Sequence, residues 1–159
     1  MFAYFAGGCF WCITPIFADT KGVIKVTSGY CGGKEINPTY YDVKKQKTGH
    51  RETIKIEYDE SVVNYRTLLD IFFSNVDLYD DGGQYIDRGY SYTLAIYYSD
   101  EKQKNAITNK INEYEKKVFV SVEEFNEFFD AEEYHQDYYL KHPKEFEEEL
   151  IHSGRKNNN

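Results

Sequence analysis

Apolar and polar positions follow two periods along this chain, and the switch between them divides it into elements. Phe2 to Ala6 is a short apolar run that predicts a buried strand, stopped by Gly7-Gly8. From about Phe10 to Asp19 the apolar positions Phe10, Ile13, Ile16 and Phe17 recur at helical spacing. Val23 to Tyr30 alternates as a strand, and Cys31-Gly32-Gly33 predicts a turn. Residues 34–50 are polar and read as loop. Glu52 to Tyr58 alternates again, and Tyr65 to Val76 gathers Leu68, Leu69, Phe72, Phe73 and Val76 on one helical face. A glycine-bearing loop over Asp80 to Gly89 precedes a strand over Ser91 to Tyr98. Asp100-Glu101 opens a polar helix to about Val118, with acids early and lysines late, as the helix dipole favours. Val120 to Phe128 predicts a last strand, and helical turns occupy about Ala131 to Ile151.

Neighbouring strands joined without an intervening helix point to an α+β fold: a two-layer sandwich of a mixed or antiparallel sheet with helices. A ferredoxin-like core with a helical C-terminal extension is the favoured topology. No repeat or linker divides the chain, so residues 1–152 are expected to form one catalytic domain. Residues 153–159, Arg155-Lys156 with three asparagines, are expected to form a disordered tail.

Composition narrows the function classes. With 27 acidic against 19 basic residues and a formal charge of −8, nucleic acid is a poor partner. No basic region precedes an apolar one at Met1-Phe2-Ala3, and no apolar run approaches the roughly 18 residues of a membrane helix. A cytoplasmic monomer with no membrane association is expected. The odd count of three cysteines disfavours a disulfide-stapled secreted fold, so a close thiol pair invites a catalytic or metal-binding reading.

That pair is Cys9 and Cys12. Cys9 lies between a strand, a Gly-Gly turn and a helix start, where unpaired N–H groups and the dipole favour thiolate over thiol. Cys12 follows one helical turn later. Zinc would need four ligands, and the chain has neither a second C-x-x-C nor an H-x₃₋₅-H pair, so no metal is expected. Simple packing of buried cysteines and general thiol–disulfide exchange remain open. Phe10 and Trp11 between the two sulfurs tilt the balance towards a small sulfur substrate, because sulfur–aromatic contacts are worth about 0.3–1.5 kcal/mol.

Gly7-Gly8-Cys9-Phe10-Trp11-Cys12 resembles the signature of the A-type peptide methionine sulfoxide reductases. Further blocks match in the same order: Gly29-Tyr30-Cys31-Gly32-Gly33, Asn37-Pro38-Thr39-Tyr40, Gly49-His50-Arg51-Glu52, Gly83-Gln84-Tyr85, Asp87-Arg88-Gly89 with Tyr92, and Glu133-Tyr134-His135-Gln136-Asp137-Tyr138. The resemblance implies reduction of methionine sulfoxide, in proteins, in peptides or free, with selectivity for the S epimer. Cys9 would be the nucleophile and Glu52 the proton donor to the sulfoxide oxygen. Tyr40, Tyr92 and Asp87 would hold that oxygen, and Phe10 and Trp11 would enclose the methyl group. Taken singly, Glu52 reads as an exposed strand carboxylate, Tyr40 and Tyr92 as packing residues and Asp87 as a turn residue. His135 is expected to support the site through a hydrogen bond. Attack would leave a sulfenic acid on Cys9, which a second thiol converts to a disulfide for an external dithiol such as thioredoxin to reduce, with no bound cofactor. Many relatives carry their recycling cysteine near the C-terminus. This chain has none after Cys31, so the task falls to Cys12, favoured by proximity, or to Cys31 as a secondary thiol.

Overall fold

The computed structural model describes residues 1–156. In chain order its elements are β1 (Phe2–Ala6), α1 (Phe10–Ala18), β2 (Val23–Cys31), α2 (Tyr40–Lys44), β3 (Arg51–Tyr58), α3 (Tyr65–Ser74) and a minimal hairpin, β4 (Gly83–Gln84) with β5 (Asp87–Arg88). There follow β6 (Leu94–Tyr98), α4 (Glu101–Ile111), β7 (Val120–Glu124), β8 (Phe128–Asp130), α5 (Tyr138–Lys141) and α6 (Pro143–Ser153).

Six strands form one mixed sheet in the order β7-β6-β1-β3-β2-β8. The inner four pair antiparallel and are connected β-α-β-β-α-β, which is the expected ferredoxin-like core. β7 adds parallel to β6 at one edge, and β8 adds antiparallel to β2 at the other. Phe10, Ile13 and Phe17 of α1, Leu68, Leu69, Phe72 and Phe73 of α3 and Ile107 of α4 share one core with Ala3, Phe5, Ile54 and Ile56 of the sheet. α3 and α4 begin where polar side chains cap them: Asn64 accepts from the Thr67 amide at 2.8 Å, and Asp100 accepts from the Gln103 amide at 2.8 Å.

The structure departs from the sequence reading at five places. The expected loop 34–50 contains α2, a single helical segment capped by Thr39. The strand expected from Ser91 starts at Leu94, because Tyr90–Tyr92 close a 3₁₀ turn. α4 ends at Ile111 rather than near Val118; i→i+3 bonds from Glu113 and Tyr114 tighten its last turn. The following residues carry the chain back, and the Phe119 amide reaches Leu78 O at 2.7 Å to enter β7. The single strand expected over Val120 to Phe128 is two strands on opposite edges. The chain between them crosses the back of the sheet, where Phe125 stacks on Tyr4 at 3.9 Å and shields Ala6, Cys31, Ala95 and Tyr97. Finally, the tail expected to be disordered from residue 153 is in contact with the fold over its first part. Ser153 is buried at the end of α6, and Arg155 bonds Gly7 O at 2.8 Å; residues 157–159 lie outside the described residues.

Candidate active site

Cys9 is the N-cap residue of α1, at the position the Gly-Gly turn predicted. No side chain caps this helix from its own turn. Glu52 does so from the sheet: its Oε1 accepts the Phe10 amide at 3.1 Å. The strand period explains how. Tyr30 and Glu52 are register partners on β2 and β3, while their neighbours Cys31 and Arg51 are the next pair and face the other way. Tyr30 accordingly joins the helix-side core and Cys31 the back-side cluster.

Glu52 is 1% exposed, and its Oε2 has no hydrogen-bond partner among the described residues. Burial, with the Asp87 charge adding to it, outweighs the Phe10 amide and pushes the carboxyl up to about 8. At neutral pH it is mostly the neutral acid, with a proton to give. Tyr92 and Tyr40 border the same spot. Their hydroxyls are held above the ordinary phenol range, by burial first and then by the nearby Glu52 charge. Asp87 is raised mainly by burial.

Aromatic rings form the opposite wall. Trp11 stacks on Tyr138 at 3.9 Å between centroids and 8° between planes, and its indole N–H donates to His135 Nδ1 at 3.1 Å. The His135 ring in turn lies 4.1 Å from that of Tyr40. Burial lowers the His135 pKa, which keeps the imidazole neutral and Nδ1 available as an acceptor. His135 thus makes the supporting bond expected of it. Phe10 is fully buried and packs under this wall against Tyr30, Tyr40 and His135.

The thiols behave differently from the sequence reading. The Cys12 amide donates to Cys9 O at 3.1 Å, a tight first turn that sets the two side chains together. The hydrogen-bonding contact with Cys12, then burial and the negative charges of Cys12, Glu52 and Asp87, hold the Cys9 thiol well above its ordinary range. An ionised resting Cys9, expected from its helix N-terminus, is therefore not what this site favours; the hydrogen bond with Cys12 and burial outweigh the helix end. Cys12 receives the hydrogen bond and, despite its burial, is lowered, with the Arg155 charge helping.

The structure thus brings Cys9, Cys12, Glu52, Phe10, Trp11, Tyr40, Asp87 and Tyr92 to one place. Cys31 is not among them. It is 1% exposed behind the sheet, its thiol donates to Glu127 O at 3.3 Å, and burial pushes it up to about 12.

Two residues that the sequence reading passed over also belong here. Glu132 accepts from the Tyr30 hydroxyl at 2.7 Å and the Tyr40 amide at 2.9 Å, tying β2, α2 and the His135 segment together. Nothing in its local sequence signals that role. Arg155 lay in the expected tail. Among the described residues, no group of three or more His, Cys, Asp or Glu is placed to hold a metal ion, and no helix is long and apolar enough to cross a membrane.

A family model described as peptide methionine sulfoxide reductase matches residues 1–159. Among curated relatives, peptide methionine sulfoxide reductase MsrA of Bacillus licheniformis is 43% identical over 96% of this chain and 88% of its own length. MsrA 2 of Staphylococcus aureus strain Mu50 is 44% identical over 98% and 91% respectively. Among solved structures, reduced Mxr1 from Saccharomyces cerevisiae aligns with a TM-score of 0.82 at 24% identity, covering 91% of this chain and 86% of that one. The same yeast protein in complex with Trx2 aligns with a TM-score of 0.54 at 17% identity, covering 87% and 84%.

Proposed function

The chain belongs to the peptide methionine sulfoxide reductase family, and from that premise we propose how its own residues carry the reaction. The Cys9 sulfur attacks the sulfur of a methionine S-sulfoxide, protein-bound or free. Glu52 delivers a proton to the sulfoxide oxygen as the S–O bond polarises. The oxygen passes to Cys9 as a sulfenic acid, the sulfoxide sulfur is reduced to the thioether, and the proton lost by the thiol balances the one given by Glu52. Tyr40, Tyr92 and Asp87 hold the oxygen, while Trp11 walls the methyl group with Phe10 packed beneath.

Cys12 then closes a disulfide with Cys9. An external dithiol of the thioredoxin type reopens it, a reading supported by the solved complex of yeast Mxr1 with Trx2. We place this chemistry in a cytoplasmic monomer that acts as one catalytic unit, extended past the expected boundary at residue 152 by Arg155, which is held against the turn before Cys9.

The observation that carries the reading is the neutral, buried Glu52. Its bonded oxygen is anchored at the Cys9 end of α1, and its other oxygen is unpartnered beside two tyrosines. The test is methionine formation from methionine sulfoxide with dithiothreitol as reductant. Turnover by the intact protein and none by Cys9→Ser is expected; full turnover by Cys9→Ser overturns the assignment.

A further inference from the structure

A cavity of about 480 Å³ flanks α1, and the buried Cys12 is among the residues that line it, with Arg155, Ile16, Val76, Tyr85 and Leu150. Arg155 is fixed there from two directions. Its Nη2 donates to Gly7 O at 2.8 Å, and its guanidinium lies 5.0 Å from the Tyr85 ring centroid. Its Nε is buried without a partner among the described residues. The clamp presses on the turn before Cys9 so closely that a Cβ on Gly8 would stand 2.6 Å from Nη2.

The groups facing Cys12 are of mixed sign. The Cys9 thiol meets it from the start of α1, and Asp87 and Glu149 face it from β5 and α6 with unfavourable charge. Glu52 of β3 is close enough to feel the charge of Cys12. Asp19 and Lys156 stand on the cavity wall. Arg155 is the cation whose charge acts favourably on the Cys12 thiolate.

We propose that Arg155 is a positioning residue for the resolving step, placing a fixed positive charge beside Cys12 so that this thiol attacks the sulfenic acid on Cys9. The proposal rests on the reading above that Cys12 is the resolving thiol. In that step the Cys12 thiolate displaces the hydroxyl of Cys9–SOH. An S–S bond forms, the S–O bond breaks, and hydroxide leaves as water with one proton taken up. Cys12 is oxidised, and the Cys9 sulfur is reduced from sulfenic acid to disulfide.

The experiment follows one equivalent of methionine sulfoxide added to reduced, reductant-free protein. Methionine release and Cys9–Cys12 disulfide formation are timed separately as a function of pH for the native protein, Arg155→Met, Arg155→Lys and Cys12→Ser. Removing a favourable charge raises the thiol, so less of it is thiolate at neutral pH. For each tenfold fall in thiolate fraction, the greater nucleophilicity of the more basic thiolate recovers about 0.4–0.5 of the loss on a logarithmic scale. Disulfide formation by Arg155→Met is therefore expected to slow about three- to fourfold for each tenfold fall in thiolate fraction, with its pH profile moved upward. Arg155 also acts on Asp87, so methionine release is the internal reference: the disulfide profile should move further than the release profile, and Arg155→Lys should restore the native disulfide profile. A disulfide profile for Arg155→Met that coincides with the native one, while Cys12→Ser forms no disulfide, overturns the role of Arg155. Should Arg155→Met fail to fold, an Arg155→Lys profile displaced as far as that of an unrelated thiol overturns it equally. A Cys12→Ser protein that still pairs Cys9 internally overturns the assignment of Cys12 itself and, with it, this proposal.

Discussion

The backbone amide of Phe10 donates a hydrogen bond to Glu52 across 3.1 Å, which joins the start of α1 to β3 in the middle of the sheet. One carboxyl group therefore does two jobs. Oε1 satisfies an amide that a helix N-terminus leaves open, and Oε2, without a partner among the described residues, is the oxygen the proposed proton transfer would use.

Glu52→Gln keeps the amide bond but loses the acid. Methionine formation is expected to fall about 10²- to 10⁴-fold, the usual contribution of a positioned proton donor. Stopped single-turnover assays check this, and a loss below about tenfold counts against Glu52 as the donor.

The same substitution should change how stability depends on pH. Burial raises the folded value of Glu52 to about 8, above the ordinary value of 4.5. The folded protein thus holds a proton that the unfolded chain has released. That contribution is complete below the ordinary value and is lost as pH rises through about 8. Native protein should lose stability between these limits in urea titrations. Glu52→Gln should be flatter and, near neutral pH, more stable than native. Parallel curves for the two proteins would refute the assignment of a neutral buried acid.

Trp11→Phe keeps an aromatic wall but removes the N–H donated to His135. A net hydrogen bond of about 0.5–1.5 kcal/mol corresponds to a rise in KM of about two- to tenfold. His135→Ala should show a similar rise by steady-state kinetics. An unchanged KM in both variants would show that the wall does not need this bond.

Cys31 is buried and pushed up to about 12, so it should be the last thiol to react. Brief alkylation of native protein followed by peptide mapping is expected to label Cys9 before Cys31. Cys31→Ala should recycle normally with thioredoxin, since Cys31 faces the back of the sheet. Loss of recycling in that variant would require a rearrangement that brings the two faces together.

Much of this was readable from the residues, for identifiable reasons. β3 and α3 follow one clear period each, β1 is an unbroken apolar run, and Cys9 stands where a strand, a turn and a helix start must meet. Glu52, Tyr40, Asp87 and Tyr92 carry no local mark of function. They acquire one through matched blocks, and the fold then brings them together around Cys9. What stayed hidden depends on tertiary partners. α2 is only 5 residues long, and its Tyr40 amide is held by Glu132, 92 residues away. The break at Phe125 is set by the stack on Tyr4 and by two separated sheet edges, not by a turn signal. The raised Cys9 reflects first its hydrogen bond with Cys12 and then burial, with lesser contributions from Glu52 and Asp87, and a reading of the Gly-Gly-Cys segment alone could not weigh the tertiary part of this.

β1 lies between β3 and β6, and the turn that follows it is held by a residue 148 positions further on. During synthesis the reactive sulfur therefore leaves the ribosome long before its housing exists. Until β3 and β6 have emerged and paired with β1, that thiol belongs to an unfolded segment, open to any passing oxidant. An oxidising surge that traps nascent chains should consequently inactivate newly made molecules more readily than mature ones, whose thiols are already paired with the groups that govern them.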